Sequence, residues 1–312
     1  MDLDHLNRSQ REAVLTTEGP LLVLAGAGSG KTRVITHRVA YLLEQGIEPE
    51  SIVAITFTNK ASEEMRLRLR KMVGKSIANS LVMGTFHSLG ARMIREQPQD
   101  FGMPKRFSIL DQGDVYGSIR SLLREVGFHG KANDRRFDPG AIAQRISLWK
   151  NDFWSYEQAH TYSQSPSASE YDEIASAVFE AYEDRLSSMG AVDFDDLVCK
   201  IAQGLLHHAE TKERWSQRFR YILVDEYQDT NQAQMQMLQG LLNDQQNLCV
   251  VGDDDQAIYG WRGAKVENIL AFDKTFPAAK VIKLEINYRS IPPIITCSNH
   301  LVAHNSNRYD KS

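Results

Sequence analysis

Residues 26–32 read Gly-Ala-Gly-Ser-Gly-Lys-Thr, preceded by the apolar run Leu21–Ala25 and followed by a stretch with helical periodicity. Strand, glycine loop and helix start, in that order, make the arrangement that binds a nucleoside triphosphate. The glycines let the backbone wrap closely, so that loop N–H groups and the helix N-terminus face phosphate oxygens. Gly26, Ala27, Gly28, Ser29 and Gly30 form the turn, and Ala25 stands where the strict pattern has Gly. Lys31 is expected to reach the β- and γ-phosphates of ATP, and Thr32 to offer its hydroxyl to Mg²⁺.

A loop of this kind needs a second, acidic site. Tyr221-Ile222-Leu223-Val224 is a short apolar run ending in Asp225-Glu226. A carboxylate at the C-terminal end of a buried strand can hold Mg²⁺, and its neighbour can polarise the attacking water. Asp225 is the expected metal partner and Glu226 the expected catalytic base. The two features together predict ATP hydrolysis.

Apolar, β-branched runs recur at Leu21–Ala25, Ile52–Thr56, Leu81–Gly84, Ile222–Asp225, Leu248–Gly252 and Val281–Leu284. Amphipathic stretches such as Arg33–Glu44 and Ala61–Met72 separate the early ones. Alternation of this type implies an α/β fold with a parallel sheet and helices on both faces. From about Arg92 to Val192 the strand signal nearly vanishes. There Asp114–Val126, Ala141–Lys150 and Glu170–Ser188 carry helical periodicity, and Ser163–Ser169 reads as a loop. A helical block lying between strands of one sheet predicts an inserted subdomain. After Phe276-Pro277 the chain is expected to start something new, with a strand over Lys280–Leu284 and a helix over Pro292–Ala303 opening on Pro292-Pro293.

Composition narrows the class. At 312 residues, 42% hydrophobic and 24% charged, the chain is long enough for two or more domains and ordinary for a water-exposed globular fold. No apolar run approaches the ~18 residues of a membrane span, and the polar start Met1-Asp2-Leu3-Asp4-His5 is not a secretory signal. Cys199, Cys249 and Cys297 are scattered, which suits reduced thiols in the cytoplasm. A formal net charge of -4 argues against a generally basic nucleic-acid coat but leaves room for a local track. The basic residues between Lys60 and Lys75 read first as a solvated helix face.

Further along, specific motifs accumulate in a fixed order: Ala25–Thr32, Thr56-Phe57-Thr58-Asn59-Lys60-Ala61, Gly84-Thr85-Phe86-His87-Ser88, Val192-Asp193-Phe194-Asp195-Asp196-Leu197, Val224–Asn231, Val251–Ala264 and Asn287-Tyr288-Arg289-Ser290. In these motifs the chain resembles the N-terminal portion of superfamily 1 DNA helicases of the UvrD, Rep and PcrA type, Rep-like sequences in particular, over nearly its whole length. The resemblance implies a RecA-like P-loop ATPase sheet with an inserted all-helical subdomain and the start of a second RecA-like domain. The implied boundaries are 1–92 and 193–276 for the first RecA-like domain, 93–192 for the insertion and 277–312 for the beginning of the second.

The same resemblance supplies residue roles. Gln10, within Leu6-Asn7-Arg8-Ser9-Gln10, would read the adenine edge, a task suited to an amide that both donates and accepts. Tyr288 would stack on adenine, Arg33 would lie beside the nucleotide, Arg289 would reach the γ-phosphate and Gln256 would sense it. The loop containing Gln256 continues to Tyr259, Trp261 and Arg262, which would face DNA. Trp261 and Phe57 are the implied base-stacking residues, with Asn59, Thr85, Phe86 and His87 along the strand path. Base stacking on an aromatic ring is worth roughly 1–3 kcal/mol and tolerates any sequence. Asp193, Asp195 and Asp196 cluster like a nuclease carboxylate site, but the family gives that motif no nuclease chemistry. One departure is Ile286, where the family usually has Gln.

The implied activity is 3′ to 5′ translocation on single-stranded DNA and at single-strand/duplex junctions, driven by ATP with Mg²⁺, by a monomer or weak dimer in repair or replication. The later family motifs, including a further arginine finger, are not in these 312 residues. Three other readings stand beside it: a fragment acting only as an ATP- and DNA-binding module, the helicase half of a helicase–nuclease, and a P-loop ATPase that is not a helicase.

Overall fold

The computed structural model describes residues 2–126, 138–305 and 308–309. In chain order the strands are β1 (Leu21–Ala25), β2 (Ile52–Ile55), β3 (Val82–Gly84), β4 (Ser108–Ile109), β5 (Ala191–Val192), β6 (Tyr221–Val224), β7 (Leu248–Gly252) and β8 (Lys280–Leu284). Six of them form one sheet in the order β3-β2-β6-β7-β1-β8, with every pairing parallel. β1, β2, β6 and β7 are buried at every position. A parallel sheet covered on both faces requires such unbroken apolar strands.

The chain folds as two compact units. The first comprises Met1–Leu89, Glu210–Thr230 and Leu238–Ser312, and holds the six-stranded sheet. Its core joins Leu21 and Val23 of β1 to Val34, Ile35, Val39 and Leu42 of helix Lys31–Glu44, and to Met65 and Leu69 of helix Asn59–Val73. Each such side chain, fully buried, contributes about 1.5–3 kcal/mol. Arg38 lies among them with 1% of its surface exposed. Its guanidinium donates to the carbonyls of Ala13 (2.7 Å), Thr16 and Thr17 (3.1 Å). A buried cation is thereby satisfied by carbonyls at the C-terminal end of helix Arg8–Leu15, which fixes that helix on Lys31–Glu44.

β8 corrects one expectation. The strand after Pro277 does not stand apart: Leu21 to Ala25 of β1 lie in register with Lys280 to Leu284. It forms an edge of the sheet, with Lys280, Val281 and Lys283 exposed and Ile282 and Leu284 buried. That alternation marks a strand packed on one face, and edge lysines discourage further strand pairing.

The second unit comprises Gly90–Ala209 and Asn231–Met237. Helices Gln112–Glu125, Pro139–Asn151 and Glu170–Ser188 pack around Ile119, Leu122, Ile146, Trp149, Phe179 and Tyr182. Glu170–Ser188 opens on a capping box: Ser169 Oγ accepts from Asp172 N at 3.3 Å and the Asp172 carboxylate accepts from Ser169 N at 2.7 Å. The unit is not wholly helical, as the sequence had implied. β4 and β5 pair in parallel as a two-stranded sheet, with Ser108 opposite Ala191 and Ile109 opposite Val192. Two residues per strand are too few to show a period of two in the sequence.

A cluster of charge is buried in this unit. Lys150 Nζ lies 2.6 Å from Glu183, 2.7 Å from Asp193 and 3.0 Å from Asp196. Tyr182 donates its hydroxyl to Asp193 at 3.1 Å, and Asn151 Nδ2 donates to Asp195 at 3.2 Å. The three aspartates thus hold helix Asp196–His207 to the end of Pro139–Asn151. Among the described residues no helix is long and apolar enough to cross a membrane.

Candidate nucleotide site and aromatic strip

The glycine loop leaves β1 and enters helix Lys31–Glu44 through Gly30, whose φ of 92° only glycine adopts without strain. A side chain at Gly30 would stand 2.7 Å from Gln10 Nε2, and one at Gly28 (φ 77°) would stand 2.5 Å from Arg289 Cβ. Ala25, the departure from the strict pattern, is the last residue of β1, fully buried and opposite Leu284. Its methyl group therefore belongs to the core rather than to the turn.

Lys31 Nζ donates to Glu226 Oε2 at 2.9 Å, and Gln228 Nε2 donates to the same oxygen at 2.9 Å. Glu226 follows β6 with φ 50° and ψ 47°, a left-handed conformation uncommon outside glycine and associated with functional sites. Asp225 Oδ1 accepts from Glu226 N at 3.0 Å. Burial pushes the Asp225 carboxyl up to about 6, Glu226 adds to the rise, and Lys31 opposes it. Burial, then Glu226, likewise pushes Asp229 up to about 6.

Gln228 extends the network to the next strand end. Its Oε1 accepts from Asp253 N at 3.0 Å, and Asp253 Oδ2 accepts from Gln256 Nε2 at 2.6 Å. Lys31, Glu226, Gln228, Asp253 and Gln256 form one continuous hydrogen-bonded row. Gln228 and Asp253 were not singled out as site residues from the sequence, although both lie inside quoted motifs.

On the other side of the loop, Gln10 is buried as the third residue of helix Arg8–Leu15. Its Oε1 accepts from Asn7 N at 3.2 Å and its Nε2 donates to Ser29 O at 2.9 Å. Both ends of the amide are thus engaged with the protein, so Gln10 shapes the loop directly. Asn287 Nδ2 donates to Ala27 O at 2.6 Å, and Tyr288 N donates to Gly28 O at 2.9 Å. Asn7 Nδ2 donates to the Tyr288 hydroxyl at 2.8 Å, while the residue remains 57% exposed. Asn287, missed as a site residue, ties the segment to the loop and also accepts from Arg289 N and Ser290 N. Arg33 and Arg289 are exposed, and Thr32 is half-buried. Ile286 is exposed, leaving an apolar side chain beside this segment.

Beyond Gln256 the loop carries aromatic side chains. Phe57 and Tyr259 have ring centroids 4.9 Å apart, and Tyr259 and Trp261 are 6.5 Å apart. The Arg262 guanidinium covers Trp261 at 4.6 Å and Tyr259 at 5.7 Å. Trp261 is 64% exposed, an unusual setting for so large an apolar surface. Thr56 N donates to Gly84 O at 2.9 Å, so Phe57 and Thr85 leave adjacent strand ends. Asn59 is exposed at the first turn of helix Asn59–Val73. Thr85 Oγ1 accepts from Ser88 N at 3.2 Å. His87 is half-buried, and burial pushes its imidazole down to about 4, so it is neutral near pH 7. Phe86 is buried, so its ring is not part of an exposed face.

Comparison with known proteins gives a consistent picture. The family described as UvrD/REP helicase N-terminal domain matches residues 6–277. A protein named ATP-dependent DNA helicase PcrA, from Staphylococcus epidermidis, is 44% identical over 308 residues, covering 98% of this chain and 41% of that protein. Its counterpart of the same name from Staphylococcus aureus is 43% identical over 310 residues, covering 99% of this chain and 41% of that protein. The chain spans about two fifths of the length of these relatives.

Proposed function

This chain belongs to the UvrD/REP helicase family through its N-terminal domain, and from that premise we propose that the protein couples ATP hydrolysis to movement along single-stranded DNA. The observation that carries the proposal is the row from Lys31 through Glu226, Gln228 and Asp253 to Gln256, three residues before Tyr259 in the aromatic strip. One end of this row is built for phosphate and the other leads to rings that can stack on bases.

In the proposed cycle the triphosphate sits on the Gly26–Thr32 loop, with the helix N-terminus facing its phosphates. The phosphates compete with Glu226 for Lys31. Once released, the Glu226 carboxylate can orient water and accept its proton. Thr32 and Asp225 offer one hydroxyl and one carboxylate, the hard oxygen donors that Mg²⁺ takes beside phosphate, where it would neutralise developing charge. Tyr288, Arg33 and Gln10 flank the base, Arg289 the γ-phosphate. Gln256 senses the phosphate and shifts the loop bearing Tyr259, Trp261 and Arg262. Trp261 and Phe57 grip bases, with Asn59, Thr85 and His87 along the strand and the buried Phe86 in the same motif. We assign residues 93–192 to an inserted subdomain, 3′ to 5′ polarity and single-strand/duplex junctions as the DNA substrate. Action in repair or replication, in the cytoplasm, by a monomer or weak dimer completes the reading.

The test is ATP hydrolysis with and without a single-stranded oligonucleotide. DNA is expected to stimulate turnover by the wild type, Trp261→Ala to lose stimulation while keeping basal turnover, and Lys31→Ala to lose both. Normal turnover by Lys31→Ala would overturn the site.

A further inference from the structure

Two histidines outside the nucleotide network face each other ring nitrogen to ring nitrogen. His5 Nε2 lies 2.9 Å from His37 Nε2, with ring centroids 4.9 Å apart and planes inclined by 55°. His37 sits on helix Lys31–Glu44, two turns past the glycine loop, and His5 on the segment that leads into helix Arg8–Leu15. His5 is exposed and His37 half-buried, so the pair is open to solvent.

The second nitrogen of His37 decides what the first can do. His37 Nδ1 is 2.7 Å from the carbonyl of Arg33, and a carbonyl can only accept, so Nδ1 carries the proton. In neutral His37 the Nε2 lone pair therefore points toward His5. An imidazole whose far nitrogen donates to a backbone carbonyl is oriented as metal-binding histidines are. Burial, the first cause, together with the charges of His5 and Arg33, lowers the His37 pKa below the ordinary value, although its bond to Arg33 O works the other way. A neutral ring is the form that ligates.

We propose that His5 and His37 form a two-imidazole site for a divalent transition-metal ion. Two imidazole nitrogens each about 2.0–2.1 Å from one metal ion are about 2.9–3.4 Å apart, so an ion replacing the shared proton of the 2.9 Å hydrogen bond needs only small ring shifts. Imidazole suits Cu²⁺, Ni²⁺ and Zn²⁺ alike, and the Irving–Williams order places Cu²⁺ as the tightest of them. On binding, the His5 proton moves from Nε2 to Nδ1, leaving both Nε2 lone pairs on the metal, with water at the remaining positions. The bound ion would clamp the segment before Gln10 to the helix that begins at Lys31. The site is independent of whether the protein moves on DNA.

The experiment is calorimetric titration of the tag-free 312-residue chain with NiCl₂. The background is His300→Gln/His304→Gln, because those two rings, four residues apart, are a second histidine pair with centroids at 5.7 Å. One Ni²⁺ is expected to bind and raise the melting temperature, and His5→Gln or His37→Gln should each weaken binding by about tenfold or more. An isotherm unchanged by both substitutions, or no saturable binding, would overturn the site. If either variant fails to fold by circular dichroism, electron paramagnetic resonance of Cu²⁺ on the parent background decides. Two coupled imidazole nitrogens support the pair, and one or none refutes it.

Discussion

Lys31 and Lys150 are both lysines held by carboxylates, yet the two arrangements serve opposite ends. Lys31 meets one carboxylate, Glu226 at 2.9 Å, whose side chain is 35% exposed. Lys150 meets three, and its own side chain is 4% exposed. A single, partly solvated partner can be exchanged for a phosphate at small cost. Three partners, of which Asp193 and Asp196 are enclosed, cannot, because removing the cation strands buried negative charge. The number of partners and their access to water, rather than the presence of a salt bridge, separate an exchangeable lysine from a structural lock. The same contrast explains Asp193, Asp195 and Asp196: their oxygens are engaged by Lys150, Tyr182 and Asn151 and hold helices together.

The contrast can be broken by substitution. Lys150→Ala should lower unfolding stability by about 3–5 kcal/mol, measured by urea denaturation; a loss under about 1 kcal/mol, the range of exposed pairs, would erase the distinction. Lys31→Ala should leave stability within about 1 kcal/mol while lowering the turnover of ATP by about 10²–10³, as loss of a donor at developing charge does. Trp261→Ala should cost about 1–3 kcal/mol of single-stranded DNA affinity by fluorescence anisotropy, without shifting nucleotide affinity. An unchanged DNA affinity would remove the aromatic strip from the account.

The smallest effect is in pH. Burial first and Asp193 second push Asp196 up to about 7 and Asp195 up to about 6. Asp193, raised by burial, is brought below its ordinary value by the charge and hydrogen bond of Lys150, and titrates at lower pH. An unfolded chain releases the Asp195 and Asp196 protons near pH 3.9, whereas the fold keeps them to about 6 and about 7. Between those values the folded state binds more protons, so stability falls as pH rises through that window. Asp196→Asn should flatten this slope in denaturation series from pH 4.5 to pH 8; an unaltered slope would place the buried proton elsewhere.

Local sequence made much of this molecule legible. The runs that became β1, β2, β6 and β7 were visible because parallel strands buried on both faces need continuous apolar residues. Helix Glu170–Ser188 fell where its periodicity placed it, with Ser169 as its cap. What stayed hidden depends on distant partners. Nothing near Arg38 announces the carbonyls of Ala13, Thr16 and Thr17, and nothing near Lys280 shows that β8 pairs with β1. Gln228 and Asn287 lay inside recognised motifs, but their contacts with Asp253 N and Ala27 O are 25 and 260 residues away. Phe86 was visible as an aromatic in a motif expected to face DNA, and only the fold reveals that it is buried.

On the proposed reading, occupancy of the glycine loop is felt at the aromatic strip through Gln228, Asp253 and Gln256. This coupling is tested most directly by the affinity for a single-stranded oligonucleotide with and without a non-hydrolysable ATP analogue, in the wild type and in Gln256→Ala. A nucleotide-dependent change in DNA affinity is expected in the wild type, abolished by Gln256→Ala while each ligand still binds. The same change in both proteins, or none in the wild type, would contradict it.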